Sequence, residues 1–243
     1  MTYCLGILLP VGLVFAADSR SNAGIDQITR VDKLAILAAP QRHVIAILSA
    51  GNLATTQSVV TVLREAAGSG QAGHDVHLAR TMFEVASIVG ATLRETLARD
   101  GAYVAPLASA DASFIVGGQI AGEPPRLFEI YSAGNFIEAS GRAPFLQIGE
   151  TKYGKPILDR GLVEDNSLDE AAKLALLSFD ATMRSNLSVG LPIDLLRYPA
   201  DSLSAENLLT IEEHNAYWRE LRQGYGAGLI ALVESLPAPP SAA

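Results

Sequence analysis

The sequence predicts an α+β chain with sheets in the middle and helices outside. Three observations carry this. Four β-prone runs precede the first helical pattern; the apolar period turns helical only at Asn52; and strands return beyond Gly101 before helices take over again.

The first two runs, TYCLGILL at 2–9 and GLVFAADSR at 12–20, are joined by the turn signal Pro10-Val11-Gly12 and read as a hairpin. KLAIL at 33–37 and HVIAILSAG at 43–51 are rich in aliphatic and β-branched residues and give two more strands. From Asn52, Val59, Val60, Val62, Leu63 and Ala66 recur at helical spacing until the glycine-rich stretch at Gly68. A second helix is expected from about Val76 to Arg99, with Phe83, Val85, Ile88, Val89, Leu93 and Leu97 on its apolar side. ASFIVGGQI at 112–120 and RLFEIYSAG at 126–134, linked by Gly122-Glu-Pro-Pro, form another expected hairpin, and PFLQIG at 144–149 a further strand. Residues 167–186 read as a helix, with Ser167 and Glu170 in the capping-box pattern. GLPIDLLRY at 190–198 reads as a strand, and 211–236 as a helix interrupted at Gly224 and Gly226. The expected organisation is one domain over 1–236 and a frayed tail over 237–243.

Composition excludes several functions. With 49 % hydrophobic and 18 % charged residues the chain falls outside the disordered, collagen-like and coiled-coil classes. A net charge of -8 gives no footprint for nucleic acid or for an anionic membrane. Cys4 is the single cysteine, so no disulfide forms within the chain, as suits a reducing compartment. The apolar run at 5–17 lacks a preceding Lys or Arg and contains Pro10 and Gly12, so a secretory signal is not expected there, and the run is too short to span a bilayer. A cytoplasmic location is expected.

Most familiar chemistry is absent. His43, His74, His77 and His214 show no metal spacing, and no G-x-S-x-G, Walker A or dinucleotide fingerprint occurs, so neither metal nor cofactor is expected. What remains is the N-terminus. A methionine before a small residue is normally trimmed, which would give Thr2 a hydroxyl nucleophile and a free α-amine as its base. The ordinary pKa of such an amine is about 7.7–8.0, and a nearby lysine makes its neutral form more populated. Lys33, with Asp18 to hold its ammonium, is the candidate if the strands carrying them pair.

The segments T-Y-C-L-G-I, V-F-A-A-D-S-R, D-K-L-A-I-L, I-L-S-A-G-N and A-S-F-I-V-G-G-Q-I-A-G-E-P-P-R-L-F-E-I resemble a proteasome β-type subunit of the N-terminal nucleophile hydrolases. The opening Met-Thr-Tyr-Cys and the extended helical C-terminus resemble the Anbu branch of bacterial proteasome homologues. The resemblance implies a four-layer αββα sandwich of two antiparallel sheets. It implies Thr2 as nucleophile, Asp18 and Lys33 as its activating pair, the N–H of Gly51 as oxyanion donor and Ser188 near the amine, with Asn22 and Leu53 contacting substrate. It further implies a peptide or unfolded-protein substrate and a homo-oligomer, a stacked ring or open spiral; an ATPase partner is left open.

Two departures stand out: Ser185 where the family commonly has Asp, and Glu150 where a serine is common. An acidic group near the amine would raise its pKa, against Lys33. The alternative function is therefore a weakly active or inactive peptide-binding shell. Taken singly, Asp18-Ser-Arg ends a strand in a turn, Lys33 is a solvated strand-start lysine, Gly51 is punctuation and Ser188 a helix C-cap. Together, in this order around four strands, they describe a site. Cys4 and Trp218 read as core or packing residues.

Overall fold

The computed structural model describes residues 2–22 and 28–240, with the side chains of residues 21, 22 and 28 also outside the description. Two five-stranded antiparallel sheets stack face to face. In the first, the order is β10 (Phe145–Gly149), β1 (Tyr3–Leu9), β2 (Gly12–Asp18), β11 (Ile193–Pro199) and β12 (Leu208–Ile211). The second runs β5 (Leu34–Ala39), β6 (His43–Gly51), β7 (Ala112–Ile120), β8 (Arg126–Ile130) and β9 (Phe136–Glu138). A two-stranded ribbon, β3 (Arg20–Asn22) with β4 (Ile28–Arg30), stands apart.

Helices α3 (Lys155–Gly161), α4 (Leu168–Ser185) and α5 (Ala216–Ser235) accompany the first sheet, and α1 (Leu53–Ala66) and α2 (Met82–Val104) the second. The period of two along β1 explains the layering. Tyr3, Leu5, Ile7 and Leu9 pack with Phe179, Leu176 and Trp218 on the helix side, while Cys4 joins Phe15, Leu48 and Ile148 between the sheets. Because helices or strands cover both faces, β2 is buried along its whole length. The result is a four-layer αββα sandwich, the α+β class expected from the sequence.

The differences lie at element ends and in short elements. The segment after Asp75 begins with a 3-10 turn at Val76–Leu78, because the Asp75 carboxylate accepts the N–H groups of Gly68, Gly70 and His77 and so fixes the loop. Thr81 then caps α2 by accepting from the N–H of Glu84, and the helix runs through Gly101. Ile211, expected to open the last helix, instead ends β12 against Ile193. Asn215 caps α5, which continues unbroken through Gly224, Gly226 and Gly228. Trp218 is the buried anchor of α5. Its C-terminal half exposes Leu229, Ile230, Leu232 and Val233. Among the described residues no helix is long and apolar enough to cross a membrane.

Candidate functional site

The chain start, the ends of β2 and β6 and the start of α1 meet at one edge of the sandwich. Antiparallel pairing of β1 with β2 sets Cys4 opposite Ala17, so Asp18 lies next to Thr2 and Tyr3. Its carboxylate is fully buried and accepts the backbone N–H of Tyr3 at 3.0 Å through Oδ1. The same oxygen accepts from Lys33 Nζ at 2.8 Å, and Lys33 donates again to the carbonyl of Arg20 at 2.6 Å. Burial pushes the Asp18 carboxyl up from its ordinary value, while the Lys33 ammonium and the N–H groups of Tyr3 and Gly190 act to lower it.

Lys33 immediately precedes β5 and is itself buried, with 6 % of its side chain exposed. Its carbonyl accepts the N–H of Ser49, which ties the segment before β5 to β6. Two of the three ammonium protons are thus committed, and Lys33 also lines a cleft of ≈ 530 Å³ with Thr2.

Gly51 and Leu53 line the same cleft. Gly51 ends β6 at φ +111, and a Cβ there would lie 2.3 Å from the carbonyl oxygen of Asp111, so only glycine fits without displacing backbone. Asn52 follows, donating its N–H to that carbonyl and capping α1 by accepting from Thr55. Leu53, 40 % exposed, therefore opens the helix at the cleft wall. Ala35, Thr56, Gln57 and Val60 extend that wall, and Arg30, Asp32 and Arg64 add charge. These lining residues had no motif to mark them.

Not every candidate is in the cleft. Ser188 sits in the turn after α4, half-buried, with its N–H donated to Asn186 Oδ1, and it is outside the cleft lining. The backbone of Asn22 pairs with Ile28 in the ribbon, and its side chain lies outside the described residues, as does Met1. Ser185 is exposed at the end of α4. Cys4 is fully buried, its thiol directed to the Ser49 carbonyl and pushed up by burial, so it is a core residue.

Sequence reasoning gave no sign of how Glu150 is held. Its N–H donates to the carbonyl of Thr2 at 2.7 Å, and its buried carboxylate accepts from Asn186 Nδ2 at 3.0 Å. Among the described residues no group of three or more metal-ligating side chains is gathered.

The family model described as Proteasome subunit matches residues 2–195. The chain belongs to the proteasome subunit family. Among solved structures this proteasome-family chain is similar to Anbu (ancestral beta-subunit) from Yersinia bercovieri, at 44 % identity over 99 % of this chain and 100 % of that one, with a TM-score of 0.92. The Pseudomonas aeruginosa Anbu complex, described as a helical assembly, is 46 % identical over 98 % of both chains, with a TM-score of 0.92. Anbu from Hyphomicrobium sp. strain MC1 is 44 % identical over 98 % of this chain and 100 % of that one, with a TM-score of 0.90. No curated protein matches the chain.

Proposed function

We propose that this proteasome-family subunit is a threonine-type peptidase whose nucleophile is the hydroxyl of Thr2, exposed with its α-amine by removal of Met1. The observation that carries the reading is the pairing of Lys33 Nζ with Asp18 at 2.8 Å on a cleft that Thr2 and Gly51 share.

The chemistry follows from that arrangement. Thr2 Oγ1 attacks the peptide carbonyl carbon while its proton passes to the α-amine, directly or through one water. The ammonium of Lys33 disfavours a second positive charge nearby and so keeps the amine ready to accept. Asp18 fixes Lys33 and, through the Tyr3 N–H, the strand that carries Thr2. The carbonyl oxygen becomes an oxyanion held by the N–H of Gly51, a type of contact worth about 10²–10³ in rate. Collapse breaks the C–N bond, and the α-ammonium protonates the departing amine. Water then attacks the ester on Thr2, giving its proton to the α-amine, and the hydroxyl is restored as the acid product leaves. Asn22, Leu53 and Ser188 are assigned to substrate contact and to the surroundings of the amine by the family resemblance. Substrate is unfolded peptide, the compartment is the cytoplasm, and the helical assembly of the Pseudomonas aeruginosa relative supports a homo-oligomeric, open-spiral arrangement.

The buried Glu150 carboxylate beside Thr2 favours a second reading, a peptide-binding shell with weak turnover. Intact-mass spectrometry after exposure to an epoxyketone separates the two, because this reagent needs a threonine hydroxyl and its free amine together. The expected result is a chain short by one methionine and carrying one adduct, with the adduct lost in Thr2→Ala. A trimmed chain without adduct, together with no peptide hydrolysis, would overturn the peptidase reading.

A further inference from the structure

The carboxylate of Glu150 is the least expected group at the chain start. Its side chain is 6 % exposed. Oε2 accepts from Asn186, while Oε1 is buried without a hydrogen-bond partner and faces the exposed Lys152 ammonium at 3.8 Å. A buried carboxylate oxygen left in this state is costly unless a cation or donor reaches it. The backbone decides which group is near. β1 and β10 pair with Tyr3 opposite Gly149, so the next position sets Thr2 opposite Glu150, and the Glu150 N–H to Thr2 carbonyl bond confirms that register. Directly opposed residues have Cβ atoms about 4.5–5.5 Å apart, within reach of a glutamate side chain. Gly149 makes the approach possible: it has φ +86, and a Cβ there would sit 2.0 Å from the Thr2 carbonyl oxygen.

We propose that Glu150, held by Asn186, is a positioning residue that anchors the α-ammonium of Thr2 and raises the pH at which that amine becomes a base. The inference shares with the peptidase reading the removal of Met1, which frees the amine, and otherwise rests on that reading only for its effect on turnover. The charges around the amine come from every element packed there. Lys33, before β5, shares the cleft with Thr2 and disfavours the ammonium, and the Asp18 carboxylate at the end of β2 is tied to Lys33. Arg30, Asp32 and Arg64 line the same cleft, Lys152, beyond β10, faces Glu150 itself, and the Arg20 guanidinium, on β3, donates to the Leu187 carbonyl. The Tyr3 phenol, on the opposite face of β1 against Ser178 and Gln147, is pushed up to about 12 by burial and stays neutral. Asp18 is held by Lys33, whereas Glu150 keeps one buried oxygen without a hydrogen bond, with the exposed Lys152 ammonium 3.8 Å away. An opposite charge within 4–6 Å raises an amine by roughly 1–3 pH units. Anchoring therefore trades activity at neutral pH for activity at alkaline pH, because only the neutral amine takes the proton from Oγ1.

The test titrates the amine itself. Trimmed protein, verified by intact mass, is pulse-labelled with acetic anhydride across pH 6–10, and acetylation of Thr2 is read from the N-terminal peptide. Glu150→Gln keeps an acceptor for Asn186 but removes the charge, and should lower the labelling midpoint by about one pH unit or more. Glu150→Ser, the smaller replacement, should do the same, and thermal unfolding of both variants verifies the fold. If the wild type hydrolyses peptide, the acid limb of its pH–rate profile should move down with the midpoint, giving up to about a tenfold gain one unit below the wild-type midpoint and an unchanged alkaline plateau. A midpoint that moves by less than about 0.3 unit in both folded variants overturns the anchoring, whatever the turnover. A shifted midpoint in a protein that never turns over supports the anchoring and overturns the peptidase reading instead.

Discussion

Lys33→Met, Asp18→Asn and the double substitution form a cycle that measures the pair on which the site is built. Both side chains are out of water, with 6 % and 0 % exposed, and their charged atoms are 2.8 Å apart. Removing one partner of such a pair typically costs about 3–5 kcal/mol, because the remaining charge stays buried and uncompensated. Lys33→Met leaves the Asp18 carboxylate with the Tyr3 N–H as its nearest compensation, so about 3 kcal/mol is expected at pH 7. Asp18→Asn leaves the ammonium on the Arg20 carbonyl and should cost a similar amount. The double variant removes both charges and should cost at least about 2 kcal/mol less than the sum of the two. Urea unfolding at fixed protein concentration reads this directly: with a slope of about 3 kcal/mol/M, each single variant lowers the midpoint by about 1 M. The pH dependence has a definite sign. Burial already pushes Asp18 up, and Lys33 is the main influence holding it down. In Lys33→Met the carboxyl therefore takes a proton more readily, and the gap to wild type narrows as pH falls. A Lys33→Met loss below about 1 kcal/mol, or strict additivity in the double variant, would show that water screens the pair and would refute the argument for a rigid Lys33.

Three further outcomes are expected. His43 is buried against His77, and burial lowers it to about 4, so its unfolded state binds the proton more tightly. Stability is then full above about pH 6.5 and falls by up to about 3 kcal/mol as pH drops through 4, a slope in urea midpoint against pH that His43→Leu should flatten. Gly51→Ala places a Cβ against the Asp111 carbonyl, and should cost a few kcal/mol in unfolding and abolish epoxyketone labelling in whatever protein still folds; unchanged stability and labelling would remove Gly51 from the site. Trp218→Ala deletes the buried anchor of α5 and should cost about 3–5 kcal/mol, with limited proteolysis moving into 216–235; cleavage confined elsewhere would show that α5 is held by other contacts.

The strands that frame the cleft were legible because their residues are long apolar runs. The 43–51 run and the 112–120 run became β6 and β7 with those same bounds, and the Ser167–Glu170 capping box started α4 where the pattern put it. β9 and β12, of three and four residues, and the single two-turn helix α3 lack a long apolar run or a cap to mark them, and Ile211 was assigned to the following helix for that reason.

The site divides in the same way. Local chemistry in the sequence marked Thr2 as a latent nucleophile, and the strand pattern made Lys33 and Asp18 candidates without fixing any distance between them. The strands that carry them do not pair as expected: β2 lies between β1 and β11, β5 pairs with β6 in the second sheet, and the two side chains meet across the stack, a contact between distant parts of the chain that leaves no local periodicity to read. The same holds more strongly for Glu150 and Asn186, which lie 36 residues apart and come together beside Thr2 through β10 and the end of α4. A sequence determines which residues want burial, which turn and which cap, because those preferences act over a few neighbouring residues. Which charge ends up beside which is decided by register and packing, and here those two set Lys33, paired with Asp18, on the cleft that Thr2 lines and bonded the Glu150 N–H to the Thr2 carbonyl.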